Sequence, residues 1–233
     1  MARPHNPGPI IRSGVFEEGH IRTFILCISV MLMTPGGVRD FADPVGFSTT
    51  REQITSVIEH SKPGAGAASP GKTISRADML SAICPHDDHI YAGPLYLPVM
   101  ELVTAKHLIL LGVFHRAWKY EIEDVLVFDD FETWKGPYGP LPVDCSFRKA
   151  VLAGLPEEDY LVSGEYHAVE HSLEAFIGFI QHFNREASIL PILVPYMDWE
   201  RMDRLAGDLA EAISNVMKKN EWTLGKDVQI LIS

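Results

Sequence analysis

Short apolar runs alternate with longer amphipathic segments over most of the chain after residue 79. Runs of four to eight residues rich in Val, Ile and Leu are typical of buried β-strands, and the clearest lie at 80–84, 107–113, 124–128, 189–194 and 228–233. Helical spacing of apolar residues predicts α-helices at 95–104, 146–152, 169–183 and 200–219. The alternation predicts an α/β fold, with a mainly parallel or mixed central sheet and helices on both faces.

The N-terminal part of the chain has a different pattern. Residues 1–37 are interrupted by prolines and glycines and predict an irregular arm, whereas 38–233 predict one α/β domain. Within that domain, residues 48–60 begin with Ser-Thr-Thr, which is typical of a capped helix start.

An apolar run at 23–33 raises the question of a membrane or export signal. It is too short for a helix that spans a bilayer, which takes about 20 residues. It has the length of a signal-peptide core, yet two acidic residues precede it and no cleavage site of small residues follows. We therefore expect no membrane span and a cytoplasmic protein, with secretion through residues 22–37 as the less favoured alternative.

Charge and cysteine content narrow the classes of partner. The chain carries 31 acidic and 20 basic residues, a formal charge of −11, and its basic residues form no cluster in the sequence. Proteins that bind nucleic acid gather Lys and Arg on one face, so we expect no nucleic-acid partner.

Cys27, Cys84 and Cys145 are too widely spaced for a disulfide framework or a Cys-x-x-Cys zinc site. We expect Cys84 and Cys145 to be unpaired.

Two histidines follow directly after predicted strands. His86 lies in the turn C-P-H-D-D-H at 84–89, and His115 ends the segment L-G-V-F-H at 111–115. Parallel strands present their carboxyl ends at one edge of a sheet, and neutral imidazole suits divalent transition metals. We predict that His86 and His115 meet there as part of a metal site; the alternative is two polar surface turns. His89 is either a residue that caps the next helix or a proton carrier.

A third group of candidate residues lies at 165–174, in the sequence E-Y-H-A-V-E-H-S-L-E. In a helix, Glu170 and Glu174 would share one face, with His167 and His171 on a neighbouring stripe. Such a helix start would direct Glu170 and His171 to the sheet edge as a general acid or base. The alternative is a solvated helix start, where acidic side chains favour the helix dipole.

Five short motifs also occur in a characteristic order. They are P-H at 85–86 with I-Y-A-G-P at 90–94, L-G-V-F-H at 111–115, G-P-Y-G-P-L at 136–141, E-H-S-L-E at 170–174 and L-P-I-L-V at 190–194. Together they resemble the Memo-like family, the Memo component of the AmmeMemoRadiSam system (protein B type). The fold of that family is similar to LigB-type class III extradiol dioxygenases, and the resemblance covers roughly 38–233.

The resemblance implies a pocket for a divalent metal, with Fe(II) the first candidate and another divalent metal the alternative. The residues that match its ligands are His86 and His115. If the protein is catalytic, the resemblance implies dioxygenase-like redox chemistry, with His171, Glu170 or His89 handling protons. A non-catalytic pocket for a small molecule or peptide, as in a signalling module, stays open, as does a structural remnant. The sequence does not determine the oligomeric state.

The chain departs from the family pattern in the two turns that carry His86 and His115 and at its C-terminal end. Asp87-Asp88-His89 replaces A-G-Y, Val113-Phe114 replaces P-S, and Arg116 stands where a second histidine is usual. The family's next motif, an S-S-D-F-x-H-like turn with a third pocket histidine, would begin near Ser233. We therefore expect the domain to lack its C-terminal part and to bind iron weakly, because metal enzymes usually fix three protein ligands.

Overall fold

The computed structural model describes residues 36–62, 75 and 79–233, and it confirms the α/β class. The strands are β1 (Gly36–Arg39), β2 (Ser81–Ile83), β3 (His107–Val113), β4 (Leu126–Phe128), β5 (Phe131–Gly136), β6 (Gly139–Pro142), β7 (Tyr160–Val162), β8 (Ser188–Val194) and β9 (Val228–Ile232). The α-helices are α1 (Arg51–Ser61), α2 (His89–Met100), α3 (Cys145–Leu152), α4 (Gly164–Val169), α5 (Glu174–Phe183) and α6 (Trp199–Asn220). Most of the predicted arm at 1–37 and the apolar run at 23–33 lie outside the described residues.

The strands form two mixed sheets. The larger has the order β2-β9-β3-β8-β4-β7, with every neighbouring pair parallel except β8 and β4. The smaller has the order β1-β5-β6, parallel and then antiparallel. Since β2, β9 and β3 are parallel neighbours, the residues that follow them emerge at one edge of the larger sheet.

Helices cover both faces of the larger sheet, as predicted. Leu108 and Leu110 of β3 pack in the cluster that contains α1, α2 and α5, whereas Ile109 packs in the cluster that contains α3 and α6. Successive side chains of a strand point to opposite faces, so β3 is buried on both sides. This explains why its sequence is continuously apolar rather than alternating. Within the described residues, no helix is both long and apolar enough to cross a bilayer.

The prediction of one helix over 169–183 is wrong. Helix α4 ends at Val169, Glu170 has an extended backbone (φ −106°, ψ 135°), and α5 begins at Glu174. The carboxylate of Glu170 accepts the backbone N–H groups of His171 (2.8 Å) and Ser172 (2.9 Å). These donors are therefore taken by a side chain and do not join a helix.

Other differences arise from proline and glycine. Helix α2 begins at His89, six residues before the predicted start, and contains both Pro94 and Pro98. The smaller sheet was not predicted, because β6 (Gly-Pro-Leu-Pro) and β5 lack clear alternation of apolar and polar residues. Cys84 and Cys145 carry free thiols, as predicted.

A buried arginine connects the smaller sheet to the segment between α4 and α5. Arg39 of β1 is fully buried, and its Nη1 lies 2.8 Å from Oε2 of Glu174. Its Nε and Nη2 donate to the carbonyl oxygens of His167 (2.9 Å) and Glu170 (2.7 Å). The guanidinium also lies 4.0 Å from the centre of the Trp134 ring. One side chain thus fixes the backbone on which Glu170 and His171 are carried.

Replacement of Arg39 by Met should lower the free energy of unfolding by about 3 to 5 kcal/mol, because it leaves the Glu174 carboxylate buried without its cation. Urea denaturation of the two proteins measures this difference. The matched control is Lys135→Met in neighbouring β5, which removes an exposed ion pair with Asp40 and should leave stability close to wild type. Equal losses of unfolding free energy in the two variants would show that the Arg39–Glu174 ion pair contributes no more to stability than an exposed one.

Candidate metal centre

His86 and His115 meet at the carboxyl edge of the larger sheet. Their Nε2 atoms are 3.0 Å apart, and their rings are inclined at 72° with centres separated by 4.7 Å. The strands bring them together, because Cys84 and Ser233 donate backbone hydrogen bonds to Ile232 and Leu111 on the adjacent strands. The predicted meeting of the two imidazoles is confirmed, whereas their role as metal ligands stays a prediction.

Each of these imidazoles has a partner at Nδ1. Nδ1 of His115 lies 2.9 Å from Oε1 of Glu170, and Nδ1 of His86 lies 2.6 Å from the hydroxyl of Ser233. A carboxylate only accepts hydrogen bonds, so Nδ1 of His115 carries a proton and Nε2 is the nitrogen directed at His86. Burial, and then the neighbouring His115 and His171 rings, lower the pKa of His86 and favour its neutral form.

The carboxylate of Glu170 is the hydrogen-bond acceptor that connects the residues at this edge of the sheet. Its side chain is 1% exposed, and Oε2 accepts the backbone N–H of His115 at 2.7 Å. Oε1 accepts Nδ1 of His115 and the two backbone N–H groups of His171 and Ser172. Burial alone raises the pKa of Glu170, but the hydrogen bonds from His115 and Ser172 outweigh it and hold the pKa below its usual value. The carboxylate therefore stays ionised, which favours orientation of His115 over proton transfer.

His171 is the fourth predicted residue at this edge. Its ring stacks on His115, with centres 4.9 Å apart and planes 6° apart, and its Nδ1 is 3.6 Å from Oε1 of Glu170. About a third of the side chain is exposed. His115, Glu170 and His171 offer ligand atoms that all lie within 4.8 Å of one another. These three residues have the donor types that bind divalent cations, and His171 is the solvent-accessible imidazole among them.

The structure places His89 elsewhere, in the core at the start of α2. Its Nδ1 accepts the backbone N–H of Ser48 (3.0 Å), and its Nε2 donates to the carbonyl of Ala175 (2.8 Å). The ring contacts Phe47 and Phe179. Burial lowers the pKa of His89 to about 4. Because backbone groups occupy both ring nitrogens, this geometry favours a structural role and gives no support to the predicted proton carrier.

Sequence reasoning missed two contributors to the site. Ser233 reaches His86 because β9 lies between β2 and β3, and no local pattern reveals strand order. The second is Gly112, which lies inside β3. A Cβ atom at this position would be 2.6 Å from both the Ser172 hydroxyl and the Leu173 side chain. Glycine therefore lets the segment that carries Glu170 approach β3, where Ser172 donates to the carbonyl of Val113 at 2.8 Å.

Comparison with known proteins identifies the family. The family model for Memo-like proteins matches residues 46–230. Among curated relatives, MEMO1 family proteins of Methanosarcina mazei and Aquifex aeolicus are both 30% identical, over 64% and 60% of this chain and 53% and 49% of their own lengths. A MEMO1 family protein of Saccharolobus islandicus is 30% identical over 68% of this chain and 53% of its own length.

The chain therefore belongs to the Memo-like family, which confirms the resemblance seen in its motifs. It spans about half the length of the curated relatives that it matches. The matched region contains β2, β3 and α5, together with every histidine and carboxylate of the candidate metal centre.

The buried ring of His89 should make stability depend on pH. Its pKa is about 4 in the folded chain against an ordinary value of 6.5, so unfolding takes up a proton between these two values. Its contribution is fully present above pH 6.5 and is lost as pH falls to 4, at up to about 1.4 kcal/mol per pH unit. Chemical denaturation of wild type and His89→Gln should show their stability difference narrowing over this range. A difference that stays constant with pH would contradict the assignment.

Proposed function

We propose that this chain forms the metal pocket of a Memo-like protein and binds a divalent metal, with Fe(II) the first candidate, between Nε2 of His86 and Nε2 of His115. The separation of 3.0 Å between these atoms carries the proposal. Two nitrogens that bind one ion at about 2.1 Å lie roughly 3.0 to 3.4 Å apart for bond angles of about 90 to 109°. The observed spacing matches a pair of adjacent ligands.

The chemistry of the donors supports the same conclusion. Two neutral imidazoles with a nearby carboxylate and open positions are the ligand types used by non-haem Fe(II) proteins. Glu170 accepts the Nδ1 proton of His115, an arrangement that orients a ligand imidazole and strengthens its binding. Two protein ligands hold an ion less tightly than three, so we expect this chain to bind the metal with modest affinity.

We also propose that the pocket supports dioxygenase-like oxidation of a small molecule. Bound Fe(II) would supply a site for dioxygen next to the substrate. Among the chain's own residues, the accessible ring of His171 would hold or pass a proton at this edge. Glu170 stays ionised and keeps His115 in one tautomer, because its four hydrogen-bond donors all favour the carboxylate.

The binding test is an anaerobic titration of Fe(II) into the chain. Calorimetry measures the affinity during the titration, and metal analysis of the product measures the amount of bound iron. We expect one equivalent to bind and affinity to fall at least about tenfold in His86→Ala and in His115→Ala, because each removes one of two ligands. His60→Ala is the matched control, since this exposed histidine of α1 lies outside the site. Binding that is equal in all four proteins would overturn the metal assignment.

Glu170→Gln tests the orienting role separately from the ligands. The amide keeps the size of the side chain but loses the charge that fixes the Nδ1 proton of His115. We expect Fe(II) affinity to fall about 10-fold to 100-fold, as for other residues that support a ligand. Circular dichroism establishes whether the variant is folded. Unchanged affinity in a folded variant would mean that His115 is oriented without Glu170.

Oxygen uptake separates the proposed catalysis from a pocket that only binds a ligand or peptide. The iron-loaded chain is supplied with catechol and air in an oxygen electrode. We expect uptake that depends on both iron and catechol and that is abolished in His86→Ala. If iron binds but no oxygen is consumed, the metal proposal stands and the non-catalytic function takes the place of the dioxygenase.

A further inference from the structure

A second imidazole–carboxylate pair lies at the opposite end of β3. Nδ1 of His107, the first residue of this strand, is 2.6 Å from Oδ2 of Asp144, and both side chains are 12% exposed. A strand rises about 3.3 Å per residue, so the two ends of β3 are roughly 20 Å apart. The pair is therefore separate from the candidate metal centre.

The surroundings of Asp144 determine which nitrogen of His107 is free. Oδ2 of Asp144 also accepts the hydroxyl of Ser188 at 3.3 Å, and Oδ1 accepts the backbone N–H of Phe147 at 2.9 Å. All these bonds require the carboxylate as acceptor, so Nδ1 of His107 carries a proton. Nε2 is the nitrogen left for another partner.

His107 lines a cavity of about 320 Å³ between α3 and the C-terminal end of α6. The walls include Phe147 and Trp222, and the Trp222 ring stacks on His107 with centres 3.9 Å apart. Lys219 lies on the lining and is exposed. Within the described part of the chain it makes no ion pair. Two aromatic side chains, a lysine without an ion pair and the imidazole of His107 thus line the same cavity.

We propose that this cavity binds a small organic acid with a single carboxylate. The acidic group would lie between Lys219 and His107, sharing one proton with Nε2, while the apolar body packs against Phe147 and Trp222. One free lysine charge matches a monoanion. Asp144 also lines this cavity. The proton shared between Nε2 of His107 and the ligand offsets the negative charge of Asp144, which leaves the charge of Lys219 to balance the ligand carboxylate.

Benzoate and its neutral isostere benzamide are suitable probes, with binding measured by calorimetry and by the imidazole NMR signals of His107. We expect saturable binding of benzoate at millimolar concentration and benzamide binding weaker by about tenfold or more, because benzamide lacks the charge-assisted hydrogen bonds. Equal affinity for the two compounds, or no benzoate binding, would overturn the proposal.

Variants of α6 locate the site. Lys219→Ala should weaken benzoate binding about tenfold, whereas Lys218→Ala is a matched control on the next residue, which does not line the cavity. His107→Gln serves as a second variant, with circular dichroism to establish that it folds. Equal loss in the two lysine variants, or no loss in Lys219→Ala, would contradict the proposed site. These measurements use the chain without iron, so their outcome does not depend on the metal proposal.

Discussion

The buried guanidinium of Arg39 is the interaction on which the geometry of the candidate metal centre most depends. It binds the carbonyl of Glu170 and the carboxylate of Glu174, and so holds the non-helical segment between α4 and α5 against the smaller sheet. A buried cation must have its hydrogen bonds satisfied, so few other arrangements of this segment are compatible with Arg39 in the core. The position of Glu170 follows from this constraint.

The two glutamates of the E-H-S-L-E motif have different tasks. Glu174 pairs with Arg39 and accepts the backbone N–H groups of Ala42 (2.7 Å) and Asp43 (3.1 Å), so it holds the chain after β1. The carboxylate of Glu170 accepts hydrogen bonds from the backbone N–H groups of His115, His171 and Ser172. The motif therefore combines a structural carboxylate with one that orients an imidazole, and the break in the helix between them makes this possible.

An imidazole whose Nδ1 is hydrogen-bonded to a carboxylate lies at each end of β3, and the two pairs have different neighbours. At the carboxyl end, Glu170 fixes Nδ1 of His115 and Nε2 faces a second imidazole. At the amino end, Asp144 fixes Nδ1 of His107, and the ring lines a cavity with a lysine and two aromatic rings. Paired imidazoles suit a cation, whereas an imidazole with a lysine suits an anion. The ligand that we propose at each end therefore follows from the neighbours of the imidazole–carboxylate pair and not from the pair itself.

The sequence by itself determined the fold class, the family and the meeting of His86 with His115. Continuous apolar runs such as β3 predict strands buried on both faces, and residues after parallel strands share one edge whatever the details of packing. Only the tertiary structure decided where the helix breaks at Glu170, why His89 belongs to the core, and how Ser233 reaches His86. The burial of His89 and the reach of Ser233 depend on hydrogen bonds or strand order between residues far apart in the chain, about which local periodicity carries no information. The break at Glu170 combines local hydrogen bonds to His171 and Ser172 with long-range ones from Arg39 and His115, and helical periodicity reveals neither.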